Sequence, residues 1–96
     1  VNVVCASEGY PASPRTGDRI DGLAAARALP GVNVYGAGVA SDDDGALITS
    51  GGRVLSVCGR GVDVVEARER AYAGVAELRW RGMTVRTDIA STAART

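Results

Sequence analysis

The sequence predicts an α+β domain, a mostly antiparallel sheet with two helices, and three observations lead there. Apolar residues alternate or run continuously over short, turn-bounded stretches such as Val1–Ala6 and Arg53–Gly59, the pattern of strands. One longer stretch, Asp63–Arg79, instead repeats its apolar residues at three- and four-residue steps, the pattern of a helix with one buried face. The chain has 96 residues, room for one core and little else. The resulting order, β-α-β-β-β-α-β, suits strands that pair mainly with antiparallel neighbours.

"VNVVCA" at Val1–Ala6 is short, valine-rich and closed by a turn, so it reads as a buried strand. Ser7–Asp18 holds two prolines and two glycines and reads as a loop. Asp21–Gly31 has an acidic start, an alanine-rich middle and a Pro-Gly stop, a helix of about two turns. Val32–Ala40 alternates as one strand, "SDDDG" turns, and "ALIT" pairs back as a hairpin. Arg53–Gly59 is the next strand. The helix after it opens with Asp63 and Glu66 at capping-box spacing, where each side chain can reach the other's backbone N–H. Val64, Ala67, Ala71, Val75 and Leu78 form its expected buried face, with Glu66 and Arg70 paired outside. Trp80 and Met83 are expected to pack the helix end onto the core, and Met83–Ile89 forms a last strand. Residues 1–90 make one domain, and 91–96 read as a disordered tail.

The composition excludes more than it specifies. Eleven basic residues balance eleven acidic ones, so no net field draws in nucleic acid or an anionic membrane. No apolar run has the length of a membrane span and no signal peptide is visible, so a cytoplasmic location is expected. The chain has no histidine and no lysine. It therefore cannot supply a Ser-His-Asp site, a histidine zinc site, a Schiff base or a phosphate-loop lysine. No catalytic residue and no metal ligand set is assigned. Cys5 and Cys58 are expected to be buried and reduced; a disulfide would require their strands to be neighbours. A start at Val1 gives the expectation of a piece of something longer.

Several motifs fail on spacing. "YGAG" at Tyr35–Gly38 lacks the helix a dinucleotide fingerprint needs. "GRGVDVV" at Gly59–Val65 does join a strand to a helix, but lacks the third glycine and the later acidic residue, so a plain turn is expected. "DDDG" at Asp42–Gly45 begins like a calcium loop, yet Arg53 stands where a bidentate glutamate is required; a solvated hairpin tip is expected. Two features remain. In "GGRV", Gly51–Val54, Arg53 can project from a strand while Gly51 and Gly52 let an anion approach backbone; the alternative is a hairpin turn with a surface arginine. In "SEGYPASPRTG", Ser7, Gly9, Tyr10 and Pro11 either line a pocket or form a rigid connection.

Taken together, "ASEGYP", "RTGD", "GVNVYGAG", "GGRVLSV", "EARERAY" and "RGMTVRTDIA" follow one another in a characteristic order and spacing. The chain in this respect resembles the C-terminal domain of the phosphoribosylamine–glycine ligases, or glycinamide ribonucleotide synthetases, of the ATP-grasp superfamily. The resemblance runs from about Val1 to Ala90. It implies a small barrel-like β module of the rudiment single hybrid motif type, packed on the ATP-grasp core of the same polypeptide. It further implies a ligase that joins glycine to 5-phosphoribosylamine in purine biosynthesis, giving glycinamide ribonucleotide, with ATP and Mg2+ or Mn2+ held by the preceding domains. No cofactor is implied within this segment, which alone is expected to be inactive.

By the same resemblance Arg53 falls on a basic position that contacts substrate phosphate in related enzymes, with Gly51 and Gly52 giving access. Ser7, Gly9, Tyr10 and Pro11 fall on the family's Ser-x-Gly-Tyr-Pro loop and are implied as site lining. The sequence departs from the family pattern at Pro14, Thr16, Ser56 and Ala90, positions expected to lie clear of Arg53. A different class remains open: a freestanding interaction or scaffold module without catalytic partner domains. It predicts an exposed apolar patch and a protein partner.

Overall fold

The computed structural model describes residues 1–86. The far end of the expected last strand and the expected tail at 91–96 lie outside them. The elements in chain order are β1 (Asn2–Ala6), α1 (Leu23–Ala28), β2 (Val32–Gly36), β3 (Val39–Ser41), β4 (Leu47–Thr49), β5 (Arg53–Gly59), α2 (Val64–Glu77) and β6 (Thr84–Val85). Four strands form a sheet in the order β2-β5-β1-β6, and β3 and β4 form a separate hairpin. Every strand pairing among the described residues is antiparallel. The α+β class with two helices therefore stands, as an open sheet plus a hairpin and not as a closed barrel.

One helix covers one face of this sheet. The start of α2 is fixed by Asp63, whose Oδ1 accepts the Glu66 N–H at 2.8 Å. Such an N-cap contributes about 0.5–2 kcal/mol. The Glu66 carboxylate reaches forward to Arg70 Nη2 at 2.9 Å, as its i,i+4 spacing predicts. Ala67, Ala71, Gly74 and Val75 face the sheet, and Leu78 continues the row. Val64 departs from the expectation and is exposed. Gly74 takes its place in the buried row: a Cβ there would stand 2.8 Å from Val57 Cγ1.

Small residues bring α2 unusually near β5. A Cβ on Gly59 would overlap the Ala67 carbonyl oxygen and the Ala71 nitrogen, and stand 2.9 Å from Ala71 Cα. The shorter helix α1 is capped by Gly22, not by the acidic Asp21. Asp21 instead exchanges two backbone hydrogen bonds with Arg79, at 2.8 and 2.9 Å, tying the start of α1 to the end of α2. Trp80 is buried as expected, and its indole Nε1–H donates to the Ala6 carbonyl at 3.2 Å. Met83 packs against the core.

The predicted strand Val32–Ala40 is broken in two. After Gly36, the Ala37 and Gly38 N–H groups both donate to the Val54 carbonyl, at 2.9 and 3.2 Å, and the chain leaves the sheet for the hairpin. No helix follows, so the dinucleotide fingerprint stays excluded. At the hairpin tip Asp42 Oδ1 accepts the N–H groups of Asp44 and Ala46 at 3.0 and 2.9 Å. That is the local side-chain-to-backbone turn an aspartate favours.

Cys5 and Cys58 are both free and lie on adjacent strands. Cys5 pairs with Leu55, and Cys58 with Asn2, three positions apart on each strand, so the two thiols point to opposite faces. Cys5 is fully buried, and that desolvation pushes its thiol up to about 11. Cys58 departs from the expectation, being only partly buried.

Candidate anion-binding groove

The face of the sheet away from α2 carries the residues that alternate with the core. Val4 and Ser56 stand opposite one another, as do Ser56 and Tyr35. The core residues Leu55 and Val57 point the other way, and by simple alternation Arg53 would point with them into the interior. A change of register prevents this. Cys5 pairs with Leu55 but Ala6 pairs with Arg53, so Val54 is an extra residue on β5. Such a bulge re-aims the side chain beyond it. Arg53 is exposed and lines an open groove of about 670 Å³ together with Val4, Ser56 and Asn2.

Among the described residues the Arg53 guanidinium makes no hydrogen bond and no ion pair. Gly51 and Gly52 line the same groove beside it. Their N–H groups take no part in the backbone hydrogen bonds that tie this turn. Gly38 presses in from the side, where a Cβ would stand 2.5 Å from the Arg53 carbonyl oxygen and 2.9 Å from Gly51 N. The two glycines of "GGRV" differ in role. A Cβ on Gly51 would make only ordinary contact, 3.5 Å from Gly38 Cα, whereas Gly52 is overlaid by the Tyr10 ring, whose Cε2 would lie 2.9 Å from a Cβ there.

Tyr10 and Pro11, joined by a cis peptide bond, also line the groove. Tyr10, Val4 and Arg53 are shared with a second, more apolar recess of about 330 Å³ that extends towards Thr84 and Val85. Ser7 and Gly9 do not line either space. Ser7 lies behind the groove wall, with its hydroxyl donating to the Gly51 carbonyl at 2.6 Å and its N–H donating to the Gly52 carbonyl at 2.7 Å. Gly9 has φ +83, and a Cβ there would overlap the Ser13 carbonyl oxygen, so it shapes the loop. Pro14 and Ser56, two of the departures from the family pattern, line the same groove. Asn2 and Ser56 are groove residues that sequence reasoning missed; their alternation with the core residues Val3, Leu55 and Val57 was the available signal.

An arginine with no partner among the described residues, in a groove also lined by Gly51, Gly52, Ser50 and Ser56, suits a multiply charged oxyanion such as a phosphate. The Phosphoribosylglycinamide synthetase, C domain family model matches residues 1–92. The chain belongs to this family. It is 50% identical over 94 residues to the phosphoribosylamine–glycine ligase of Leifsonia xyli subsp. xyli, covering 97% of this chain and 22% of that protein. It is likewise 50% identical over 96 residues to the ligase of Streptomyces coelicolor, covering 98% of this chain and 23% of that protein. A crystal structure of the Thermotoga maritima phosphoribosylamine–glycine ligase matches with TM-score 0.76 and 36% identity, over 91% of this chain and 20% of that one. The chain thus spans about a fifth of the length of these relatives. No helix among the described residues is long and apolar enough to cross a membrane.

Proposed function

We propose that this chain serves as the C-terminal domain of an ADP-forming ligase that joins glycine to 5-phosphoribosylamine in purine biosynthesis. Its part in that reaction is to close one side of the ribosyl-phosphate site. The observation that carries the reading is Arg53: the register change at Val54 turns an arginine out of the core and into a groove, where no acidic side chain among the described residues pairs with it. A charge-assisted hydrogen bond from its guanidinium to the substrate phosphate contributes about 1.5–3 kcal/mol. That anchors the ribosylamine and leaves its amine to be presented to chemistry elsewhere.

In this reading the preceding domains of the same polypeptide, in the cytoplasm, hold ATP, the divalent metal and glycine. Among the described residues no group of three or more His, Cys, Asp or Glu side chains is arranged to hold a metal ion. In this reading the domain's own role is binding and orientation. Members of the pair phosphoribosylamine and glycinamide ribonucleotide share the same phosphate, so substrate and product compete for Arg53.

The test is Arg53→Ala in the full-length ligase. The Michaelis constant for phosphoribosylamine is expected to rise about 10- to 100-fold, from the loss of one charged hydrogen bond, with those for ATP and glycine unchanged. Unchanged kinetics would leave Arg53 as a surface residue of the turn and overturn the reading.

A further inference from the structure

Two polar side chains stand out in the core because they are the buried ones among the described residues: Ser7 and Thr49, each 1% exposed. Both belong to the same construction. The Ser7–Asp18 loop and the segment 49–52 are fastened together at two points. At one end Ser7 closes on Gly51 and Gly52 through its hydroxyl and its N–H, at 2.6 and 2.7 Å. At the other, Thr49 Oγ1 accepts the Asp18 N–H at 3.1 Å, the Thr49 carbonyl accepts the Gly17 N–H at 2.7 Å, and the Thr49 N–H donates to the Asp18 carbonyl at 2.8 Å.

Between the two fastenings the loop folds back on itself, with the Ser13 N–H on the Gly9 carbonyl at 2.9 Å and the Arg15 N–H on the Glu8 carbonyl at 2.7 Å. It carries the Tyr10 ring over Gly52. Segment 49–52 runs directly into Arg53. A turn with two consecutive glycines is intrinsically loose, and a long cationic side chain at its end would sample many positions. The fastenings remove that freedom.

We infer that Ser7 and Thr49 are positioning residues for the substrate phosphate, holding the Gly51–Gly52 turn so that Arg53 and Tyr10 face the groove as one unit. This rests on the reading of Arg53 as the phosphate ligand. Neither hydroxyl touches substrate; each acts through backbone, and burial keeps water from competing for those hydrogen bonds.

The experiment is steady-state kinetics of the full-length ligase carrying Ser7→Ala, Thr49→Val or Thr49→Ser, with Arg53→Ala in parallel. Thr49→Val removes the hydroxyl while keeping shape, and Thr49→Ser keeps the hydroxyl. Ser7→Ala and Thr49→Val are expected to raise the Michaelis constant for phosphoribosylamine about three- to tenfold, the scale of one lost hydrogen bond. The constants for ATP and glycine stay unchanged, and Thr49→Ser restores the parent value. If Arg53→Ala raises that constant and neither hydroxyl deletion does, or if they only lower the turnover number, the positioning role is wrong while the phosphate reading survives. If Arg53→Ala itself changes nothing, the phosphate reading fails, and the inference with it.

Discussion

Gly59→Ala is expected to cost the domain a large share of its stability or to unfold it outright. The one added methyl group would collide with the Ala67 carbonyl oxygen, the Ala71 nitrogen and, at 2.9 Å, the Ala71 Cα. All three are backbone atoms in the middle of α2, so no side chain can rotate away. Relief requires the helix to lift from the sheet, which opens the packing of Ala67 and Ala71 on Gly59 and of Gly74 on Val57 at the same time. A change of this kind costs about 4 kcal/mol or more. A domain of this size has about 5–14 kcal/mol in total. Urea denaturation followed by circular dichroism would measure the loss. Gly45→Ala is the control: its φ of +82 is left-handed, but nothing lies within 4 Å of the added Cβ. Only the backbone penalty of about 1–2 kcal/mol applies there.

Trp80→Ala has the second largest expected effect, about 3–5 kcal/mol, for the loss of a buried indole and the cavity it leaves. It also strips the Ala6 carbonyl of its hydrogen bond. Ala6 lies directly before Ser7 and pairs with Arg53, so the damage extends to the base of the groove. Trp80→Phe separates the two contributions. It keeps most of the apolar volume and removes the N–H donor with part of the ring, so a smaller loss of about 1–2 kcal/mol is expected. Thermal unfolding of both variants gives the ranking; equal losses would mean that the hydrogen bond, and not the packing, holds this corner.

The sequence made the frame legible where local chemistry decides. β5 runs over Arg53–Gly59 as its alternation predicts, and α2 starts at Asp63 because the cap is a short-range interaction. What stayed hidden depends on contacts across the sheet. The split of the predicted strand Val32–Ala40 follows from Gly38 meeting Gly51 and Arg53, residues far along the chain. Gly74 does not count as apolar, yet its bareness admits Val57 into the helix face.

The groove was half legible. "GGRV" drew notice through composition, but the reason Arg53 points outward is the extra residue Val54, a matter of register between β1 and β5 that no single strand reveals. Ser7 was expected to line the site and instead fastens its wall. Thr49 gave no local signal, since a threonine at the end of a strand is ordinary; only its burial and its partner Asp18 mark it. Pro14 and Ser56, two departures from the family pattern, line the groove because loop and sheet fold onto the same side.

The most direct measurement is a titration of the uniformly 15N-labelled chain with ribose 5-phosphate, read by the backbone amide shifts of Gly51, Gly52 and Ser56 and repeated with Arg53→Ala. One wall of a shared site is expected to bind with a dissociation constant of roughly 1–10 mM, about 3–4 kcal/mol. Saturable shifts at these three amides that vanish in Arg53→Ala are the predicted result. Shifts that persist without the arginine, or none at these positions up to about 50 mM phosphate ester, would contradict the claim that this groove holds the ribosyl phosphate.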